Sequence, residues 1–324
     1  MIAAPLKPFG FLPCKKPIGM TSRDLVNHVQ RQIRRETGLP RLKAGHTGTL
    51  DPLADGVVVV AIGSATRLMP WMLEQPKCYV GTFEFGASSH SGDLEDGCQR
   101  HPELPLPTLE AIQSAAKDMK GWIEQTPPAH SAIWIDGKRA HQRVRNGETI
   151  DMPSRHVWLE SVHVNAYRPP MVQLEVRCGS GTYLRTLGMD LAGQLGTTAV
   201  MTSLTRTHVG PFDLNSAMEP ETFVTDKPTP NNPEPCLPSN LHRQLINPAF
   251  ALHHMARLHC DHAQSKQLRN GLLIDGSIEK AEKPLIKASK QPSQDAIAID
   301  EQGQLIAIVR QKNERWAPHR VFMA

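Results

Sequence analysis

The stretch that most constrains this chain is Gly45-His46-Thr47-Gly48-Thr49-Leu50-Asp51-Pro52-Leu53-Ala54-Asp55-Gly56, followed at once by Val57-Val58-Val59-Val60-Ala61-Ile62-Gly63. Three glycines and a proline interrupt any continuous helix or strand over the first part and predict a structured loop. The apolar β-branched run after it predicts a strand buried on both faces. A loop held by such a strand can aim one polar group with little freedom. Asp51 is the candidate group, because Pro52 fixes its own φ and pushes the preceding residue out of the α region. Spacing alone leaves two readings open: a carboxylate aimed at a reacting atom, or an Asx-type turn that caps nearby amides.

The 324 residues suffice for one large core or two unequal ones. With 36 Lys+Arg against 32 Asp+Glu the formal charge is only +4, which permits a polyanionic partner without demanding one. Arg31, Arg34, Arg35, Arg41 and Lys43 do gather just ahead of the Asp51 loop, as a solvated helix face also would. The six cysteines are scattered without a C-x-x-C pair, which fits a reducing compartment better than a disulfide framework. No apolar run has the length of a membrane span, and the first residues lack a charged start with an apolar core. A cytoplasmic, monomeric protein is expected.

Along the chain, Gly10 to Cys14 predicts a short strand closed by a turn at Pro17 and Gly19, with Thr21 or Ser22 placed to cap a helix. Leu25, Val26, Val29 and Ile33 form that helix's apolar stripe. A helix opening at Ser64 is kinked or restarted by Pro70. Lys77 to Gly86 alternates as a strand, with Tyr79, Phe83 and Phe85 on one face. Thr108 caps a helix reaching Lys120, with Leu109, Ile112, Ala116 and Met119 inward. Lys138, Arg139, Arg143 and Arg145 lie within eight residues, as on a solvated helix. Val172, Leu174 and Val176 predict a strand buried on one side, and Leu184, Leu187, Leu191 and Leu195 the stripe of a helix ended by Gly196. Tyr183 and Arg185 stand about 100° either side of Leu184 in that helix's first turn, so neither is at the stripe's centre. From Thr225 prolines and asparagines mark a linker. Beyond it the runs 272–274, 296–299 and 305–309 predict a small β-rich module, with Asp300-Glu301-Gln302-Gly303 as a hairpin turn. His253, His254, His259, Cys260 and His262 lack the spacing of a tetrahedral metal site. Gly179-Ser180-Gly181 falls short of a dinucleotide fingerprint, and no P-loop occurs, so neither a metal nor a nucleotide cofactor is expected.

Three of these stretches, in this order, resemble the tRNA pseudouridine synthase B (TruB) family: Lys16-Pro17-Ile18-Gly19-Met20-Thr21-Ser22, the Gly45–Gly56 loop, and Gly181-Thr182-Tyr183-Leu184-Arg185. The resemblance implies an α/β (α+β) pseudouridine-synthase fold, with a mixed, largely antiparallel central sheet flanked by helices and a small C-terminal β-rich domain similar to the PUA fold. It implies a catalytic domain over 1–225 with an RNA-binding thumb-like insertion at about 125–150, a linker over 226–247, and the PUA-like domain over 248–324. The activity implied is isomerisation of the T-loop uridine of tRNA (position 55) to pseudouridine, without a cofactor. Asp51 matches the family's essential carboxylate, Arg185 its partner and Tyr79 the ring that stacks on the target base. His46 matches a residue that wedges into the RNA loop. Lys16, Asp93, Tyr183 and Arg145 are carried over as substrate- or RNA-contacting residues.

Three positions depart from the family pattern: His90 where an Asp is usual, Trp134 where a Lys is usual, and His141 where a Tyr is usual. Two other functions fit the same scaffold. An RNA-guided synthase acting on ribosomal RNA would be inactive alone on bare tRNA, and a tRNA-folding chaperone would keep its role in an Asp51→Asn variant.

Overall fold

The computed structural model describes residues 7–95, 97–129, 131, 133–135, 137–148, 150–219, 240–279 and 295–322. The architecture is mixed α/β, with a central sheet flanked by helices and a separate smaller C-terminal β-sheet. Packing divides the chain into two compact units. The first is built from both ends of the chain, 1–75 and 208–324, and the second from 76–207.

In the first unit, β1 (Gly10–Lys16) pairs antiparallel with β3 (Asp55–Ile62) from Gly10↔Ile62 to Lys16↔Gly56. Between them run α1 (Ser22–Thr37) and the short strand β2 (Ala44–His46). Thr21 caps α1 in a full capping box with Asp24, and Gly38 ends it in the left-handed region at φ 67. Leu25, Val26, Val29 and Ile33 are buried, as their spacing predicts. Gly45 and His46, expected in the loop, belong instead to β2, because Ala44, Gly45 and His46 add to β3 opposite Ile62, Ala61 and Val60. After a 3-10 turn over Gly63–Leu68, Pro70 sits in the first turn of α2 (Met69–Leu73), where its missing N–H costs nothing.

The second unit begins with β4 (Lys77–Phe85), then the small pair β5 (Ala87–Ser88) and β6 (Gln99–Arg100). Then come α3 (Leu109–Asp118), β7 (Gly121–Gln125), the hairpin β8 (Trp134–Ile135) with β9 (Lys138–Arg139), and α4 (Ala140–Arg145). The long strands β10 (Arg155–Arg168) and β11 (Met171–Cys178), α5 (Leu184–Gln194) and β12 (Ala199–Val209) complete it. Its strands lie in the order β12-β4-β11-β10-β7, with β4–β11, β11–β10 and β10–β7 each antiparallel. Ile112, Ala116 and Met119 of the α3 segment are buried, but Leu109 is 38% exposed, since the first turn of α3 overhangs what the helix packs against. Leu195 is half-buried, because α5 ends at Gln194 and leaves it at the C-cap.

The chain returns to the first unit through β13 (Phe212–Asp213) and α6 (Pro248–Ala251). β14 (Ala256–His259), α7 (His262–Arg269), β15 (Asp295–Ile299), β16 (Leu305–Lys312) and β17 (Arg315–Val321) follow, the strands forming one sheet in the order β14-β15-β16-β17. The expected turn after Ile299 is present: Asp300 Oδ1 accepts from the amides of Gln302 and Gln304, and Gly303 takes φ 72. Of the 272–274 run, Ile274 bridges to Trp316. Most of the expected 226–247 linker, residues 226–239, lies outside the described residues.

Alternation explains the first unit's core. Val57, Val59 and Ala61 of β3 pack with Ile297 and Ile299 of β15, Ile308 of β16, and Phe322. Ala296 and Ala298 face a second cluster with Leu258, Leu268 and Trp316. Gln75 closes one side, its Nε2 donating to Ala251 O at 3.0 Å and lying 2.5 Å from His254 Nδ1. Burial, and then the neighbouring His253, depress His254 from 6.5 to about 4. The unfolded chain therefore takes up this proton below pH 6.5, whereas the folded one does so only near pH 4. Its contribution to stability is complete above 6.5 and lost as the pH falls towards 4. Thermal melts from pH 7.5 to 4 should show a steeper loss for wild type than for His254→Gln, which removes this titration but not those of the carboxylates.

Candidate active site

The first two sequence motifs meet around Asp51. Thr21 does the capping of α1, which leaves the Ser22 hydroxyl for another task. Ser22 Oγ accepts from Leu50 N at 2.8 Å and donates to Leu50 O at 3.0 Å, with both residues buried. On the other side of Asp51, Pro52 O accepts from Gly19 N at 2.8 Å, and Gly19 can present that amide because it sits at φ 84. Asp51 O itself accepts from Ala54 N at 3.0 Å, closing a turn that enters β3. The half-buried Asp51 is thus fixed at the residue before it and the residue after it.

Lys16, at the end of β1, is 1% exposed, and its Nζ donates to Pro17 O and Met20 O at 2.8 Å each. This buried ammonium folds the 16–22 turn around itself, with carbonyl partners offsetting its desolvation. His46 ends β2 and is half-buried.

In the second unit Arg185 stands in the first turn of α5 and is 5% exposed, deeper than its angle beside Leu184 predicts. Its Nη1 donates to Ser91 O at 2.9 Å and lies 3.4 Å from Asp93 Oδ2. Asp93 Oδ1 accepts from Ser91 Oγ at 2.6 Å and from Glu95 N at 3.0 Å. Gly92, at φ 80, lets the loop lie against the helix, since a Cβ there would come within 3.3 Å of Arg185 Cβ. The carboxylate therefore holds the guanidinium from a loop that is itself folded around that carboxylate. Tyr183 lies outside α5, at its N-cap, rather than in its first turn. Its N–H donates to Gln125 Oε1 at 2.8 Å, Gln125 Nε2 donates back to Tyr183 O at 3.1 Å, and the Arg155 guanidinium sits 4.9 Å from the Tyr183 ring centre. Tyr79 lies on β4, 8% exposed, opposite Val176. Arg145 ends α4, and its side chain, like that of His141, lies outside the described residues.

The structure thus joins the Lys16 turn to the Asp51 loop, and Arg185 to Asp93. Asp51, Lys16 and His46 belong to the first unit, and Tyr79, Asp93, Tyr183, Arg185 and Arg145 to the second. Sequence reasoning missed Gln125 and Arg155, which fix Tyr183, because a single polar residue at a strand end carries no periodic signal. It left Ser22 as one of two possible caps. Among the described residues no group of His, Cys, Asp and Glu forms a metal-ligand set, and no helix is long and apolar enough to cross a membrane.

With 98% of the chain aligned, the fold matches that of a chain in the crystal structure of a Cbf5-Nop10-Gar1 complex, at TM-score 0.67, 21% identity and 85% of that chain. Residues 34–184 match the model of the TruB family pseudouridylate synthase N-terminal domain. The chain is 45% identical to a tRNA pseudouridine synthase B of Rhodopirellula baltica, over 97% of its own length and 95% of that protein's. A tRNA pseudouridine synthase B of a Synechococcus strain is 38% identical, over 70% of this chain and 71% of the relative. The loop that holds Asp51 lies inside the matched domain. The chain belongs to the TruB family of pseudouridylate synthases.

The anchoring of Asp51 makes a specific demand on Ser22. Ser22→Ala leaves a buried N–H and C=O of Leu50 without this partner, at a cost of about 1–3 kcal/mol. The variant should melt lower than wild type in a thermal scan. It should also lose turnover beyond what the fraction unfolded explains, because Asp51 would no longer be fixed on its N-terminal side.

Proposed function

We propose that this protein is a tRNA pseudouridine synthase acting on the T-loop uridine at position 55. The observation that carries the reading is the 45% identity over 97% of the chain to a tRNA pseudouridine synthase B. The reaction moves uracil from an N1 to a C5 linkage on the same ribose, so it needs no redox partner and no energy source. The Asp51 carboxylate attacks the sugar C1′, and the N1–C1′ bond breaks with its electron pair leaving on the uracil. The base turns, C5 bonds to C1′ as the carboxylate departs, and the C5 proton is lost to solvent while N1 takes up a proton. Arg185 is the cation that directs Asp51 and favours its ionised form, and Asp93 holds Arg185 in place. Tyr79 supplies a ring against which the freed base stacks. The target base must leave its loop first, and His46 wedges into the space it vacates, with Tyr183 and Arg145 at the RNA and the buried Lys16 holding the 16–22 turn beside the Asp51 loop.

In this reading residues 1–225 form the catalytic domain, with an RNA-closing thumb at about 125–150. A linker over 226–247 leads to a PUA-like RNA-binding module over 248–324. The protein works as a cytoplasmic monomer. The anchoring of Asp51 by Ser22 and Gly19 supports the assignment, since effective attack on a sugar carbon requires a carboxylate whose backbone is already ordered.

The test is release of tritium from C5-labelled uridine in unmodified tRNA. Wild type should release it without any added guide RNA, and Asp51→Asn should release none while still binding the tRNA. Release only when a guide RNA and partner proteins are supplied would move the substrate to guided sites. Equal release by both proteins would place the chemistry on another residue.

A further inference from the structure

Trp134 is 65% exposed, the highest value among the exposed large hydrophobic side chains of the described residues. Its setting cannot bury it. β8 and β9 are two residues each, paired Trp134↔Arg139 and Ile135↔Lys138 around Gly137 at φ 79. A hairpin this small has no core of its own. It is rooted instead through Ala140, which is fully buried and whose N–H donates to Ile133 O at 2.8 Å. The other tryptophans are less exposed. Trp71 and Trp316 are 6% exposed, and Trp122 packs edge-to-face on Trp158 with centroids 5.5 Å apart.

The charge around Trp134 is net positive. From Asp136 to Glu148 the sequence holds four Lys and Arg against the two carboxylates at its ends. Of these, Arg143 is paired with Glu148 at 2.6 Å. An exposed indole at the head of a cationic segment suits a single-stranded nucleic acid, whose bases stack on the ring while its phosphates meet the charges. A protein surface would favour the same ring but would need acidic groups for the cations.

We propose that Trp134 is a stacking platform for an unpaired base of the substrate RNA. This rests on the tRNA reading above and names one contact within it. The contact is made by ring area rather than by charge, although the family pattern has a Lys at this position. The two chemistries separate by salt. A lysine–phosphate contact releases a counterion and weakens as salt rises, whereas stacking is nearly indifferent to it.

The experiment uses the full-length protein and an unmodified T-stem-loop RNA carrying 2-aminopurine at single loop positions. Binding is titrated at 50 and 200 mM salt for wild type, Trp134→Ala, Trp134→Phe and Trp134→Lys. Thermal melts confirm that all four fold. Trp134→Ala should weaken binding by about 5-fold or more, with Trp134→Phe between it and wild type. Trp134→Lys should steepen the slope of log affinity against log salt by about 0.7–0.9. Emission from at least one 2-aminopurine position should be quenched by wild type and recovered in Trp134→Ala. Tritium release from C5-labelled RNA is followed for wild type alongside the titrations. Trp134→Ala binding within twofold of wild type, with the same quenching at every position, overturns the proposal and leaves Trp134 to a protein partner. Wild type that binds the RNA but releases no tritium overturns the isomerase reading, while the affinities still decide the stacking contact. Wild type that does not bind the RNA overturns both.

Discussion

The Ser22 hydroxyl is the point from which the rest of the Asp51 loop hangs. A hydroxyl both donates and accepts, and here both capacities are spent on the backbone of one residue, Leu50. Because Ser22 and Leu50 are buried, water cannot replace either bond. The arrangement depends on Thr21, since if Ser22 had to cap α1 the loop would lose its tether. Two adjacent hydroxyl residues thus divide two jobs, starting a helix and holding a loop. With Gly19 fastening Pro52, the carboxylate between them has lost most of its backbone freedom before any substrate arrives.

Such a tether is only as rigid as what it is tied to. Downstream the loop runs into β3, whose residues from Gly56 to Ile62 are buried on both faces. One of those faces is covered by strands from the far end of the chain, Ile297, Ile299 and Ile308 among them. The C-terminal sheet is therefore part of the packing that keeps β3 in place. The Asp51 loop would feel its loss through β3. The cost is topological, since contacts between positions near 60 and near 300 close a very long loop and form late in folding.

The elements with strong local signals were legible in the sequence. The β3 run, the α1 stripe with its Thr-or-Ser start, the restart at Pro70 and the Asp300–Gly303 turn each follow from period, capping or turn chemistry within a few residues. β2 was not legible, because three residues containing a glycine become a strand only when β3 is there to pair with. Leu109 misled for the same reason in reverse: it has the right period, but α3 begins before the surface it packs on. At the site, the motifs named Asp51 and Arg185, but nothing local indicated that Arg185 would be buried against Asp93, or that Gln125 and Arg155 would hold Tyr183. Those are contacts between segments about 30 to 90 residues apart, and single-sequence pattern carries no term for them.

The Arg185–Asp93 contact also accounts for one departure from the family pattern. Where the family carries two carboxylates in this loop, this chain has the exposed His90 and the buried Asp93. Position 90 faces solvent, where exchanging one polar group for another changes stability little. Position 93 is different. Removing its carboxylate would leave a buried guanidinium short of its counter-charge, and breaking such a pair costs about 3–5 kcal/mol. It would also leave the Ser91 hydroxyl and the Glu95 amide without their acceptor, loosening the loop whose Ser91 carbonyl binds Arg185. The carboxylate that the chain keeps is thus the one whose loss would disturb both the charge and the shape around Arg185.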